Sequence, residues 1–198
     1  TTSYLNSDPS QSGPPAAAAA AAATAAPSDK AKTSHKSAHS YTRPGFRAFW
    51  IGADAHVPVQ VRRSDPSSKS ASTLLYLHGG GFSLGSVAFY AEALIRIITK
   101  VCAIEDRDND ARCVAVEYDL GPTSRFPGPL LQCLRCYAHL IEVERIDPLS
   151  ITVAGDSAGG NLAMAMLLCL DGQARGDARL AERDWSALPM PGKAVLIS

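Results

Sequence analysis

Short apolar runs alternate with longer amphipathic stretches along the chain from about residue 46 onward. The short runs are rich in β-branched or aliphatic residues and predict strands: Phe46–Ile51, Val57–Val61, Leu74–Leu77, Cys113–Tyr118, Ile151–Ala154 and Ala194–Ile197. The longer stretches predict helices: Ala91–Val101, Leu130–Glu144 and Leu162–Leu170. Strands that alternate with helices predict an α/β fold with a mostly parallel sheet flanked by helices.

Residues 1–44 differ in amino-acid composition from the rest of the chain. Small and polar residues dominate this segment, and Ala16–Ala23 is uninterrupted alanine. Little apolar surface is present whose burial would offset the entropy of ordering the chain. We therefore expect a low-complexity disordered tail over residues 1–44 and one domain over residues 45–198. His35 and His39 lie in this tail, and we interpret them as solvated residues rather than metal ligands.

The Ile151–Ala154 run stops at a small-residue turn, Gly155-Asp156-Ser157-Ala158-Gly159, and an apolar helical run follows at once. Strand, tight turn and helix around the pattern G-x-S-x-G are typical of a nucleophile elbow, in which a strained turn holds the serine clear of the sheet. Glycines two residues before and after Ser157 remove the β-carbons that would clash there. The N–H of Ala158 would then point to where an oxyanion forms.

A second glycine motif follows the Leu74–Leu77 run, in the order His78-Gly79-Gly80-Gly81. Glycines directly after a buried strand allow the backbone to approach a ligand closely and to present N–H groups. An H-G-G-G run is the other half of the oxyanion hole in lipases and esterases. Together with the elbow downstream, this motif predicts a serine hydrolase.

Composition gives no indication of a nucleic-acid-binding or membrane-spanning protein. The 198 residues suffice for one ordinary domain, and 46% of them are hydrophobic. A formal net charge of +0 predicts no nucleic-acid partner, and no apolar run approaches the length of a membrane span. Five cysteines in apolar contexts indicate reduced core residues, which favours a reducing, cytoplasmic compartment.

Two other patterns permit metal sites, and in both cases we favour a structural interpretation. The acidic loop places Asp106, Asp108, Asp110 and Glu117 at EF-hand ligand spacing, but Ala111 stands where the sharp turn requires glycine. We therefore interpret this loop as a solvated connection and predict no metal site.

The pair Cys133-x-x-Cys136 lies inside a predicted helix and has no second pair to complete a zinc site. We interpret both cysteines, and His139 on the same helix, as core residues.

Three segments together resemble the hormone-sensitive-lipase group of α/β-hydrolases: His78–Ser86, Glu117–Pro122 with Phe126-Pro127, and Gly155–Leu162. The resemblance covers roughly Phe46 to Ser198. It implies an α/β-hydrolase sheet, present here as far as about its sixth strand, and hydrolysis of a small-molecule carboxylic ester without a cofactor.

The resemblance also implies roles for individual residues. Ser157 would be the nucleophile, and the N–H groups of Gly80, Gly81 and Ala158 would form the oxyanion hole. A supporting set would hold this geometry in place: His78, Gly79 and Asp156. Where the family usually has Tyr-Arg-Leu-Ala-Pro, this chain has Tyr118-Asp119-Leu120-Gly121-Pro122, so a structural arginine is replaced by Asp119.

The triad order of the family is Ser, then Asp or Glu, then His. All five histidines precede Ser157, and the acids after it fall within one connection: Asp171, Asp177, Glu182 and Asp184. We therefore expect the catalytic acid and histidine beyond Ser198 and expect this chain alone to be inactive. Two alternatives remain open, a non-catalytic small-molecule-binding protein on the same scaffold and a non-functional truncated product.

Overall fold

The computed structural model describes residues 2–5, 45–52, 72–104 and 111–198, with backbone only for residues 2–5. These residues form one sheet of six strands in the order β1-β2-β4-β3-β5-β6. The strands are β1 (Thr2–Leu5), β2 (Ala48–Ile51), β3 (Thr73–Leu77), β4 (Arg112–Val116), β5 (Ile151–Asp156) and β6 (Lys193–Ile197). The four strands β4, β3, β5 and β6 are mutually parallel, and β1 and β2 add an antiparallel edge. The predicted α/β fold with a mostly parallel sheet is confirmed.

Helices cover both faces of this sheet. They are α1 (Val87–Ile104), α2 (Gly128–Glu142) and α3 (Ala158–Leu170). Because side chains alternate along a strand, Leu75 and Leu77 of β3 face α2 and α3, whereas Tyr76 faces α1. The same alternation places Val153 on the first face and Ala154 on the second. Two hydrophobic cores therefore lie back to back across the sheet.

The helices form where the apolar spacing predicts them, with shifted ends. α1 begins at Val87, four residues before the predicted start, and buries Val87, Leu94 and Ile98 against the sheet. The carboxylate of Glu117 accepts a hydrogen bond from the N–H of Val87 at 2.7 Å. A side chain from another part of the chain thus satisfies one of the open donors at this helix end.

The N-terminal segment contributes one short strand that the sequence does not predict. The sequence predicts a disordered tail over residues 1–44, but Thr2–Leu5 forms β1, in register with β2 from Thr2 opposite Ile51 to Leu5 opposite Ala48. The backbone groups of an antiparallel edge strand pair with the neighbouring strand whatever the side chains are, so composition alone does not predict this strand. Residues 6–44, the predicted strand Val57–Val61 and the acidic loop at 105–110 lie outside the described residues.

The five cysteines are free and buried, as the sequence predicts. Cys133 and Cys136 are residues of α2, and both are 0% exposed on its core-facing side. Within residues 45–52, 72–104 and 111–198, no helix is both long enough and apolar enough to cross a bilayer.

Candidate active site

Ser157 occupies the turn between β5 and α3. Its backbone lies at φ 49° and ψ −114°, a strained conformation for a residue with a side chain, and its side chain is exposed. The N–H of Ser157 donates to the carbonyl of Ile197 in β6 at 2.8 Å, and its carbonyl accepts from the N–H of Asn161 at 3.0 Å. The neighbouring strand and the first helical turn thus hold the strained turn in place.

Gly155 and Gly159 allow strand and helix to meet closely at this turn. A β-carbon on Gly155 would overlap the main chain of Gly159 and lie 2.7 Å from the carbonyl oxygen of Leu77. A β-carbon on Gly159 would overlap that same oxygen and lie 2.6 Å from the carbonyl oxygen of His78. The glycines therefore bring the turn against the end of β3, where the second motif begins.

Residues 78–85, here called the glycine loop, turn sharply after β3. Gly80 and Gly81 have φ values of +116° and +60°, the left-handed region that favours glycine. The Gly80 carbonyl accepts hydrogen bonds from the N–H groups of Ser83 at 3.1 Å and Leu84 at 2.9 Å. A β-carbon on Gly81 would meet no heavy atom within 4 Å, so this part of the loop borders open space.

Backbone N–H groups are available on both sides of the turn. Those of Gly80, Gly81 and Ala158 donate to no acceptor within the part of the chain that the structure describes. The N–H of Gly79, by contrast, donates to Oδ1 of Asp156 at 2.8 Å. Open donors at a helix start and in a glycine-rich turn are suited to binding an anionic oxygen.

Asp156, the last residue of β5, carries the densest set of hydrogen bonds at the site. Its Oδ1 accepts from the Gly79 N–H and from the Tyr76 hydroxyl, each at 2.8 Å, and its Oδ2 accepts from the Tyr90 hydroxyl at 2.8 Å. Burial, followed by the bond to Asp156, raises the pKa of both Tyr76 and Tyr90. Both phenols therefore remain protonated donors at neutral pH.

His78 is buried at the start of the glycine loop. Its ring stacks on Tyr118, with centroids 4.2 Å apart, and more loosely on Tyr90 at 5.9 Å. Its Nδ1 lies 2.8 Å from the carbonyl oxygen of Gly79, which can only accept, so Nδ1 carries the proton. Its Nε2 has no hydrogen-bond partner among the described residues.

The segment after β4, residues 117–121, forms hydrogen bonds that hold the glycine loop. The Tyr118 hydroxyl donates to the carbonyl of His78 at 2.5 Å, and the N–H of Gly121 donates to the carbonyl of Phe82 at 2.7 Å. Together with the bond from Val87 to Glu117, these contacts connect one short segment to the start and middle of the loop and to the helix that follows it.

Asp119 has its own partners at the position where the family usually has arginine. Its Oδ1 accepts from Nη2 of Arg47 at 2.7 Å, and its Oδ2 accepts from Nε2 of Gln132 at 2.8 Å. Gln132 returns a bond, because its Oε1 accepts from the Asp119 N–H at 2.7 Å. Asp119 is therefore held by Arg47 and Gln132, and the departure in sequence leaves this segment hydrogen-bonded.

No described residue acts as a base for Ser157. Its Oγ makes no hydrogen bond within the described residues. His139, on α2, is buried beside Phe46 and lies 3.2 Å from Oε1 of Glu144.

The four acids that follow the elbow are engaged elsewhere. Asp177 and Asp184 cap short 3-10 turns, Asp171 accepts from Gln173, and Glu182 pairs with Arg135. Within the described residues, none of these four carboxylates hydrogen-bonds to Ser157.

A cavity of about 300 Å³ lies away from these motifs, beyond the end of α3. Its lining includes Cys169, Arg175, Arg183 and Trp185, and none of the predicted site residues. This cavity therefore does not open onto the elbow or the glycine loop.

Sequence reasoning did not single out Tyr76 or Tyr90, although a signal was present for each. Tyr76 is the one polar-tipped residue in the run Leu74–Leu77, and Tyr90 stands three residues after Val87 and four before Leu94. That spacing puts Tyr90 on the buried face of α1, where its hydroxyl needs a partner.

Comparison with known proteins agrees with this geometry. A family model described as the alpha/beta hydrolase fold matches residues 74–191. LipR of Mycobacterium tuberculosis, named as an acetyl-hydrolase, is 31% identical over 116 residues, which are 59% of this chain and 34% of LipR. Neutral cholesterol ester hydrolase 1 of Mus musculus is 32% identical over 117 residues, which are 54% of this chain and 27% of that protein.

Solved structures give the same result. An esterase from the bacterial hormone-sensitive lipase family superposes with a TM-score of 0.53 at 26% identity, covering 76% of this chain and 39% of that one. The chain spans about a third of the length of the curated relatives it matches. The matched family model, these relatives and the elbow geometry agree: the chain belongs to the α/β-hydrolase family, in its hormone-sensitive-lipase-like group of esterases and lipases.

Proposed function

We propose that the protein is a serine carboxylesterase in which Ser157 is the nucleophile. The observation that carries this proposal is the exposed Ser157 on a strained turn, next to a glycine loop with open N–H donors. Strain of this kind in a non-glycine residue persists where surrounding contacts hold it, and it is concentrated at functional sites. The relatives named as an acetyl-hydrolase and a cholesterol ester hydrolase support an ester as the substrate.

The chemistry proceeds in two stages. Oγ of Ser157 attacks the carbonyl carbon of the ester, and its proton passes to a base. The carbonyl oxygen becomes an oxyanion that accepts hydrogen bonds from the N–H groups of Gly80, Gly81 and Ala158. Collapse of this intermediate expels the alcohol, which takes the proton, and leaves an acyl group on Ser157. Water, activated by the same base, then releases the carboxylic acid and restores the serine.

His78, Gly79 and Asp156 support this arrangement without touching the ester. The N–H of Gly79 is already bonded to Asp156, so the first glycine anchors the loop and the next two present the donors. His78 donates from Nδ1 to the Gly79 carbonyl, is buried, and so serves the loop rather than the serine.

The base and the acid that orients it come, in this proposal, from residues outside this 198-residue chain. No histidine follows Ser157, and the relatives are about three times as long as the matched region. A serine at its free pKa is a weak nucleophile, so the 198-residue chain alone is expected to show no turnover.

The test is hydrolysis of p-nitrophenyl butyrate by the full-length protein and by its Ser157→Ala variant. Loss of a triad serine lowers kcat by about 10⁶-fold in a known protease, so near-complete loss is expected. Ser150→Ala is the matched control, because Ser150 lies in a short turn before β5 and its Oγ donates to the carbonyl of Asp147, away from the elbow. Undiminished turnover in Ser157→Ala would exclude this nucleophile, and ester binding without turnover in the wild type would favour the binding-protein alternative.

A further inference from the structure

Three parts of the fold meet at the carboxylate of Asp156. Tyr76 comes from β3, Gly79 from the glycine loop and Tyr90 from the first turn of α1. By strand alternation Asp156 points to the same face of the sheet as Ala154, which is the face that α1 covers. The carboxylate thus links the strand that carries Ser157 to the loop and the helix opposite it.

The two oxygens of Asp156 have different partners. Oδ1 accepts hydrogen bonds from the Tyr76 hydroxyl and the Gly79 N–H, and Oδ2 accepts one from the Tyr90 hydroxyl. A carboxylate group turns readily about its Cβ–Cγ bond, because that torsion is broad. A partner on each oxygen fixes its plane. Without a donor at Oδ2, the carboxylate is free to turn, and the Gly79 N–H loses a fixed acceptor.

Tyr90 couples the position of α1 to that of the glycine loop. Its ring lies 5.7 Å from that of Tyr76 and 5.9 Å from that of His78. The same helix end is held by the bond from the Val87 N–H to Glu117. Tyr76, by contrast, is 6% exposed within β3, where the strand pairing already fixes it.

The direction in which the Asp156 carboxylate points affects the electrostatic potential at the site where the oxyanion forms. Asp156 directly precedes Ser157, where the proposed reaction develops a negative oxyanion. A carboxylate held toward Tyr76, Gly79 and Tyr90 has its charge spread over three donors. A carboxylate that turns toward the oxyanion would oppose the charge forming there.

From these contacts, and resting on the proposed function, we propose that Tyr90 is a positioning residue: its hydroxyl holds Oδ2 of Asp156, keeps Oδ1 on the Gly79 N–H, and so fixes the glycine loop in the geometry that binds the oxyanion. Tyr90 does not touch the ester. Its removal therefore affects the transition state more than the bound substrate.

The experiment compares Tyr90→Phe with Tyr137→Phe in the full-length protein. Tyr137 donates to the carbonyl of Pro189 at 2.8 Å and has no contact with Asp156, so its variant matches the loss of a phenol without touching the loop. We expect kcat for p-nitrophenyl butyrate to fall about 10-fold in Tyr90→Phe, with KM within about twofold, since a hydrogen bond to a charged group is removed. The inhibition constant of a trifluoromethyl ketone should rise by the same factor.

Amide hydrogen exchange supplies a second measurement that does not depend on turnover. Exchange at residues 78–81 should increase in Tyr90→Phe and remain unchanged in Tyr137→Phe. Wild-type protein without Ser157-dependent turnover would refute the proposed function, and the exchange data would still decide the role of Tyr90. Unchanged kcat together with unchanged exchange at the loop would overturn the positioning role while leaving the proposed function intact.

Discussion

The ring of Tyr118 stacks on the ring of His78 at a centroid distance of 4.2 Å and an interplanar angle of 12°, and its hydroxyl donates to the carbonyl of the same histidine at 2.5 Å. Both the side chain and the main chain of His78 are therefore held by one residue, two positions after the end of β4. Because His78 begins the glycine loop, this contact sets the position from which the loop turns.

Replacing Tyr118 with phenylalanine tests that relationship. The ring stacking remains, but the buried carbonyl of His78 loses its donor, which costs about 1–3 kcal/mol in the free energy of unfolding. Urea unfolding measures this change, and turnover by the full-length protein should fall with it. Tyr137→Phe, the matched loss of a phenol bond elsewhere, should lower stability without lowering kcat. Equal effects of the two variants on kcat would contradict a special role for Tyr118.

The glycines of the site should differ sharply in their tolerance of alanine. Gly159→Ala places a methyl group against main-chain oxygens of Leu77 and His78, which cannot move aside, and should cost about 3 kcal/mol or more. In Gly81→Ala the new methyl group meets no atom within 4 Å. The free energy of unfolding should fall by only about 1–2 kcal/mol, because alanine is strained at a φ of +60°. Thermal or urea unfolding of both variants gives the ranking, and the reverse order would refute the close packing of strand and helix.

The ion pair between Arg47 and Asp119 should make a small but measurable contribution to the free energy of unfolding. Nη2 and Oδ1 lie 2.7 Å apart, and the two side chains are 38% and 47% exposed, so solvent screens their interaction. A double-mutant cycle with Arg47→Gln and Asp119→Asn should give a coupling below about 1 kcal/mol. That coupling should shrink further in 1 M salt. A coupling that is several times larger, or insensitive to salt, would show that the pair is effectively buried.

Stability should decline in alkaline solution. Burial raises the pKa of the thiols of Cys113, Cys133 and Cys136 above the ordinary value, so the native state keeps these protons. The unfolded chain releases them above about pH 9, so it binds fewer protons there and unfolding becomes easier as pH rises. Each group contributes a slope of up to about 1.4 kcal/mol per pH unit.

Urea unfolding at pH 8 and pH 10 measures this decline. Cys133→Ala removes one of the buried thiols and should make the decline shallower. A free energy of unfolding that is equal at the two pH values would mean that the thiols are not protected in the native state.

The elbow was predictable because its determinants are adjacent in sequence. The glycines at 155 and 159, the serine between them, and the apolar runs on each side specify strand, turn and helix without reference to the rest of the fold. The strand before His78 is local in the same way. The presence and type of these elements therefore followed from pattern alone.

The contacts that hold the site together were not predictable in this way. Asp156 is separated by 80 residues from Tyr76 and by 66 from Tyr90, and these residues meet only because β3 and β5 are neighbours under α1. Asp119 and Arg47 are 72 residues apart, so nothing in the sequence indicated that these two side chains pair. The early start of α1 has a similar cause, since Glu117 follows Val87 by 30 residues.

Covalent trapping tests most directly whether Ser157 is the nucleophile. The full-length protein is treated with a fluorophosphonate, digested, and analysed by mass spectrometry for the modified residue. We expect one adduct, on the peptide that carries Ser157, and no adduct in Ser157→Ala. An active esterase that carries its adduct on another residue, or that is labelled equally after Ser157→Ala, would contradict the account.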